Sequence, residues 1–279
     1  MPDSIVIAPI EEALNYHRLK HEVGSKLNAE QWGEAVPVQI RETSQASATV
    51  ESANLLQRIQ DGITEILSHW RNELGGLTDR GAFMRDLTDI ATREGLRPKP
   101  GTSKWGKLTD VGSVERTELI YTMQVGSAYG FAQWQFGMDS DALYMYPAQE
   151  LVRIKESLKK RDWETRWAEA GAAVGWRGAV QHPKVALKTS PIWRKLSRFQ
   201  RDFPPFDFNS GMWVEDIRRA EAIRLGLLDE GDRMKPQDKP YAEHWETSVA
   251  NLGNELKDSL REAFPDRVRI VGDVAKWRK

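Results

Sequence analysis

The segment DFPPFDFNSGMW, residues 202–213 and here named the double-proline segment, constrains the possible folds of this chain most strongly. Pro204 and Pro205 exclude a helix interior, because a proline ring clashes with the preceding turn and offers no backbone N–H. The three phenylalanines of the segment nonetheless favour burial. Residues 209–211, Asn-Ser-Gly, favour a turn that caps a following helix. We therefore predict a stiff extended stretch whose rings pack against neighbouring elements, with docking of a partner as the alternative.

The composition excludes several classes of protein. Of the 279 residues, 40% are hydrophobic and 29% charged, which is typical of a globular chain with a core. The net charge of −1 creates no overall field toward nucleic acid or a membrane surface. The absence of cysteine excludes disulfides, a thiol nucleophile and thiolate zinc sites. No apolar run reaches the roughly 20 residues of a membrane helix, and the start does not resemble a signal peptide, so we expect a cytoplasmic protein.

The first half of the chain has the apolar spacing of helices. Apolar residues recur every three or four positions over 48–74, and a second such pattern covers 79–95. A third helix is predicted from Ser113, a suitable N-cap, to Gly137. The small residues Gly126 and Gly130 in its middle would let another helix approach closely.

The second half mixes strand and helix patterns. We therefore predict an α+β fold with a helical region over 1–140 and an α+β module over 141–279. The predicted elements of this module are a strand or strand pair over 143–154 broken at Pro147, a helix over 161–171, a strand at 184–188, helices at 190–199, 214–228 and 245–263, and a closing strand or hairpin at 267–277.

Charge is distributed unevenly in this second half. Residues 151–201 contain thirteen Lys and Arg against four acids, whereas residues 202–250 contain eleven acids against six bases. Tryptophans are interleaved with the bases, a combination that can contact phosphates and stack bases. The alternative is that the two segments neutralise each other. The candidate nucleic-acid contacts are Lys159, Lys160, Arg161, Arg166 and Arg177.

Catalytic and metal-binding patterns are weak. His17 and His21 are four residues apart, as on one helix face, but no HExxH order or third ligand supports a metal. No GxSxG, Walker or GxGxxG motif occurs. We predict a protein without enzymatic activity, metal or cofactor. The alternative is an enzyme that uses His182, Arg177 and Glu215, although Glu215 also suits the first turn of the helix predicted over 214–228.

Residues 182–216 resemble the C-terminal module of phage Mu gpF-like minor head proteins, the phage head morphogenesis family. In that module a histidine, a proline followed by an aromatic, and a double proline precede an aromatic turn. The matching residues here are His182, Pro191, Trp193, Pro204, Pro205, Phe206, Phe208, Ser210 and Gly211. A helix of the family is similar to residues 116–137 through Arg116, Ile120, Thr122, Ala128, Tyr129 and Gly130.

The likeness covers most of residues 40–275, with one departure. Many members end the module in a Gly-x-Cys-Arg-Cys turn, where this chain reads NSGMWVED, so it resembles a cysteine-free branch and no metal is expected there. The resemblance implies a structural protein of the virion head, made in the bacterial host cytoplasm. The implied partners are the portal and major capsid proteins. The resemblance also allows contact with packaged DNA, and it implies no contact with a membrane.

Overall fold

The fold is α+β, as predicted, and the first half is mainly helical. A computed structural model describes residues 10–72, 80–156, 161–176, 184–237 and 246–277. The helices are α1 Ile10–Arg18, α2 Ala29–Ala35, α3 Val38–Thr43, α4 Ala53–Asn72, α5 Arg80–Arg93, α6 Val114–Gly137, α7 Ser140–Met145, α8 Trp163–Ala173, α9 Ile192–Leu196, α10 Arg219–Arg224 and α11 Asn254–Ala263. The strands are β1 His21–Glu22, β2 Ser44–Gln45, β3 Ala148–Arg153, β4 Val185–Leu187, β5 Met212–Ile217, β6 Glu246–Ser248, β7 Val268–Val271 and β8 Val274–Trp277. Within these described residues, no helix combines the length and the apolar character that crossing a bilayer requires.

The chain forms two compact units. The first unit comprises residues 13–125 and 240–279, and the second comprises residues 1–12 and 126–239. This differs from the division at residue 140 that the sequence suggested, because α6 contributes to both units and residues 240–279 belong with residues 13–125. Sequence patterns show which faces are apolar but not which distant face each one meets.

The first unit buries the predicted stripe of α4 and the face of α11. Leu56, Ile59 and Ile63 of α4 are fully buried, as their spacing predicts. Leu260 of α11 lies in a core cluster with Ile40 of α3. The closing hairpin is also confirmed, since β7 and β8 pair antiparallel in a three-stranded sheet of order β6-β8-β7. A separate two-stranded sheet pairs β1 with β2 in parallel.

The second unit is built on the antiparallel sheet β4-β3-β5. Its core cluster contains Trp163 and Trp167 of α8, Trp193 of α9, and Phe206 of the double-proline segment. Large rings therefore fill the space between this sheet, the two short helices and the double-proline segment.

Four local predictions are wrong. Residues 246–248 form strand β6 and not the start of the helix predicted over 245–263, because β6 pairs with β8 and this pairing overrides local propensity; α11 begins only at Asn254. Residues 143–145 belong to helix α7, whose N-cap Asp139 accepts the N–H groups of residues 141 and 142. Residues 214–217 belong to strand β5 instead of a helix, because β5 pairs with β3 along its whole length and this ladder overrides local propensity. Helix α8 continues past Gly171 to Ala173, and Gly175 follows with a positive φ of 70°.

Candidate functional site: the double-proline segment

The double-proline segment lies against the small residues of α6. A Cβ atom at Gly130 would stand 2.0 Å from the carbonyl oxygen of Pro204, whereas one at Gly126 would meet the Pro205 ring at 3.7 Å. The Pro204–Pro205 peptide bond is cis. The close approach predicted for this part of α6 is therefore present, but an irregular segment makes it and not a second helix. Residues 202–204 form bends, so the extended stretch predicted around the two prolines is not observed.

Two of the three phenylalanine rings of the segment are buried, as predicted, and the third is only half-buried. Phe203 and Phe206 are almost wholly buried. The Phe206 ring stacks on Trp193 at a centroid distance of 5.9 Å and an interplanar angle of 22°. Phe208 is half-buried and meets Phe199 edge-on at 4.9 Å. Aromatic pairs of this kind add to the free energy of area burial, so the centre of the segment is a core element.

A tight turn ends the segment. Asn209 and Gly211 have φ values of 45° and 66°. A side chain at Gly211 would overlap the carbonyl oxygen of Lys155, because its Cβ would lie 1.9 Å away. The Ser210 hydroxyl accepts the N–H of Met212 at 3.2 Å. This hydroxyl therefore supports the start of β5, and the prediction that residues 209–211 cap a helix is wrong.

Two of the candidate nucleic-acid contacts hold the segment through ion pairs. The Asp207 carboxylate forms an ion pair with Arg161, whose Nε is 3.1 Å away, and accepts a hydrogen bond from an Arg166 terminal nitrogen at 2.9 Å. Arg161 also donates to the carbonyl of Phe208. Asp207 is nearly inaccessible, and a buried carboxylate needs such partners to offset its desolvation. At these positions the basic and acidic segments neutralise each other, which was the alternative interpretation.

The buried residues Arg201 and Asp202 complete the polar contacts of the segment. Arg201 donates to the Ser127 hydroxyl at 3.0 Å and to the Pro205 carbonyl at 3.1 Å. Asp202 pairs with Arg194, and burial raises the pKa of the Asp202 carboxyl while Arg194 lowers it. Sequence reasoning missed both residues, although charges next to buried rings need partners and could have signalled them.

The cavity beside the segment is small. It measures about 10 Å³ and is lined by residues that include Gln149, Lys188, Asp202 and Asp216. The Lys188 ammonium is 2.9 Å from the Asp216 carboxylate, so these two charges pair with each other, while Asp202 pairs with Arg194. A volume of this size holds about one water molecule.

The other residues of the family resemblance are divided between the two units. Arg116 belongs to the first unit, where it donates to the Ser47 hydroxyl at 2.8 Å and the Ala48 carbonyl at 2.9 Å. Burial lowers the pKa of its guanidinium. Thr122 is exposed on α6, and Tyr129 is half-buried.

Several predicted site residues lie outside the described residues. These are Lys159, Lys160, Arg177 and His182. Glu215 is exposed on β5 and not at a helix start. Its convergence with Arg177 and His182, which the enzyme alternative requires, stays a prediction.

The two N-terminal histidines are not on one helix face. Helix α1 ends at Arg18, so His17 is helical while His21 lies in β1. His17 is fully buried, with its Nε2 atom 3.2 Å from the carbonyl oxygen of Gln60. Among the described residues, no group of three or more side chains is placed to hold a metal ion.

Comparison with protein-family models, curated proteins and solved structures finds no match to this chain. The geometry above and the sequence motifs are therefore the basis on which a function is assigned.

Proposed function

We propose that this chain is a minor head protein of a phage or prophage, with a structural, non-enzymatic role in head morphogenesis. The observation that supports the proposal is the placement of the residues that resemble the Mu gpF-like motif. Trp193, Pro204, Phe206 and Gly211 all take part in one tightly packed element. Residues used in this way determine the shape of a module and supply no reactive group.

A preformed module suits assembly with other virion proteins. Its backbone is fixed by buried rings and by the Asp207 ion pairs before any partner arrives. A rigid docking element loses less conformational entropy on association than a mobile loop. The proposed partners are the portal and major capsid proteins, with assembly in the bacterial cytoplasm and retention in the virion head.

Co-expression tests this function. The chain would be produced with the portal and major capsid proteins encoded near it, and heads would be purified by sedimentation and analysed by mass spectrometry. We expect the chain to co-sediment with heads, and a parallel expression without portal separates portal docking from capsid docking. A chain that never remains with purified heads would contradict the proposal, as would a gene neighbourhood without portal or terminase genes.

A pair of variants links retention to the packed module. Phe206→Ala removes a ring that is 0% exposed and should reduce the amount retained, because truncating a buried phenylalanine costs about 3–5 kcal/mol. Asp258→Asn changes an exposed residue of α11 and should be retained like the unaltered chain. Equal retention of both variants would show that the packed segment does not govern docking.

A further inference from the structure

The loop between α5 and α6 includes a stretch that carries positive charge without any acidic residue. Residues 95–109, here named the lysine loop, contain four Lys and Arg residues and no acid. Lys99, Lys104 and Lys107 are exposed, and none of them forms an ion pair within the part of the chain that the structure describes. The loop therefore displays three ammonium groups whose charge is not compensated by a neighbouring carboxylate.

The lysine loop is ordered by a buried carboxylate directly after it. Asp110 is 0% exposed and accepts a bidentate pair from Arg97 at 3.0 and 2.8 Å. It also accepts the backbone N–H groups of Gly106 at 3.0 Å and Gly112 at 3.1 Å. The hydrogen bond from Arg97 is the main cause that lowers the pKa of Asp110, so the carboxylate stays charged at neutral pH.

This arrangement fixes a long irregular loop in one shape. Backbone bonds from Trp105 to Thr102 at 3.0 Å and from Asp110 to Lys107 at 2.8 Å add successive turns. Loops of this length without regular elements are uncommon unless they serve a function. Preorganisation lowers the entropic cost of binding a ligand.

Trp105 gives the lysine loop an aromatic surface. Trp105 is 37% exposed, and the Arg97 guanidinium lies 4.0 Å from the centroid of its ring. Trp163, Trp167 and Trp193 of the basic segment are, in contrast, buried in the core of the second unit. Among the tryptophans whose side chains the structure describes, Trp105 alone is exposed.

We propose that the lysine loop binds single-stranded nucleic acid. The lysines would contact backbone phosphates, and the exposed indole would stack on an unpaired base. Cationic side chains beside an exposed aromatic ring are the features by which proteins hold single strands without sequence preference. A duplex fits the loop less well, because its base faces are covered by stacking. The lysine loop belongs to the first unit, so this inference is independent of the double-proline segment and of the proposed head function.

Fluorescence anisotropy of the full chain with a labelled oligothymidine tests the lysine contacts. Changing the three lysines of the loop to glutamine should weaken binding and reduce the slope of log affinity against log salt by about 2, at roughly 0.7 per phosphate contact. The control changes the exposed residues Lys155, Lys195 and Lys235 to glutamine. It removes the same charge and should leave both quantities nearly unchanged.

Substitution of Trp105 tests the stacking contact. Trp105→Ala should weaken oligothymidine binding about 5- to 150-fold, as expected for loss of one stacked base, and Trp105→Phe should retain most of the affinity. A duplex of the same length should bind more weakly than the single strand. Thermal unfolding of each variant separates these effects from loss of the folded state.

Three results would overturn the inference. The first is the absence of oligothymidine binding at low salt, and the second is an equal loss of binding in the lysine-loop and control variants. The third is binding of polyglutamate by the loop while oligothymidine does not bind, which would assign the surface to an acidic protein.

Discussion

Replacing Gly130 with alanine should destabilise the protein, whereas the same change at Gly126 should stabilise it. Both glycines lie inside α6, one turn apart, and alanine favours a helix interior over glycine by about 1 kcal/mol at either position. The two sites differ in what the added methyl group meets. At Gly126 the nearest atoms are in the Pro205 ring at 3.7 Å, an ordinary van der Waals contact.

At Gly130 the methyl group would lie 2.0 Å from the Pro204 carbonyl oxygen. This distance is much shorter than a van der Waals contact, so either α6 or the double-proline segment must move. Forcing an extra methyl group into a packed interior costs about 1–3 kcal/mol, and a backbone obstacle favours the upper end. The free energies of unfolding of the two variants should therefore differ by about 1–3 kcal/mol, with Gly130→Ala the less stable.

Urea titration followed by tryptophan fluorescence measures this difference, because buried tryptophans report on the second unit. Thermal unfolding gives a second measure, at about 2–4 °C per kcal/mol for a chain of this size. If Gly130→Ala were as stable as Gly126→Ala, Pro204 could not lie against this face of α6. The packing described for the double-proline segment would then be wrong.

Two further predictions concern buried titratable groups. Asp207→Asn should lower the free energy of unfolding by about 3 kcal/mol. This is the lower end of the range for a broken buried ion pair, because Arg161 and Arg166 are partly exposed. An equal loss in the exposed control Asp258→Asn would contradict this prediction. Burial lowers the pKa of His17 from 6.5 to about 3, so below pH 6.5 the unfolded chain binds a proton that the folded chain does not. The free energy of unfolding should consequently decrease as the pH is lowered below 6.5, by about 2 kcal/mol at pH 5. Urea titrations at several pH values should show a flatter profile for His17→Gln, and an unchanged profile would refute the assignment.

The sequence predicted elements well where local signals agree with the tertiary structure. Helix α6 begins directly after Ser113, whose hydroxyl accepts the N–H of Arg116 at 3.1 Å. The stripe of α4 and the turn of the closing hairpin were likewise readable, since periodicity and turn residues are local properties. Strand β5 was not, because residues 214–224 have helical propensity and only pairing with β3 makes the first of them extended.

The function of the charged residues was harder to predict for the same reason. Arg166 and Asp207 are 41 residues apart in sequence, and their contact depends on the fold of the second unit. A cluster of bases and tryptophans has the same pattern whether it binds nucleic acid or supports a core. The interleaved bases and tryptophans therefore predicted nucleic-acid contacts in residues 151–201, where the tryptophans of the core cluster are buried. In the lysine loop, by contrast, three lysines and Trp105 are exposed.

Hydrogen exchange tests most directly whether the double-proline segment is a rigid core element. The N–H of Arg198 bonds to the carbonyl of Phe206 at 2.9 Å, and the N–H groups of Ile154 and Lys155 bond to the carbonyl of Gly211 at 2.9 and 3.2 Å. A packed segment should protect these three amides as strongly as the paired amides of β3. Exchange of these amides at the rate of an unstructured peptide, while β3 remains protected, would show that the segment is a mobile loop.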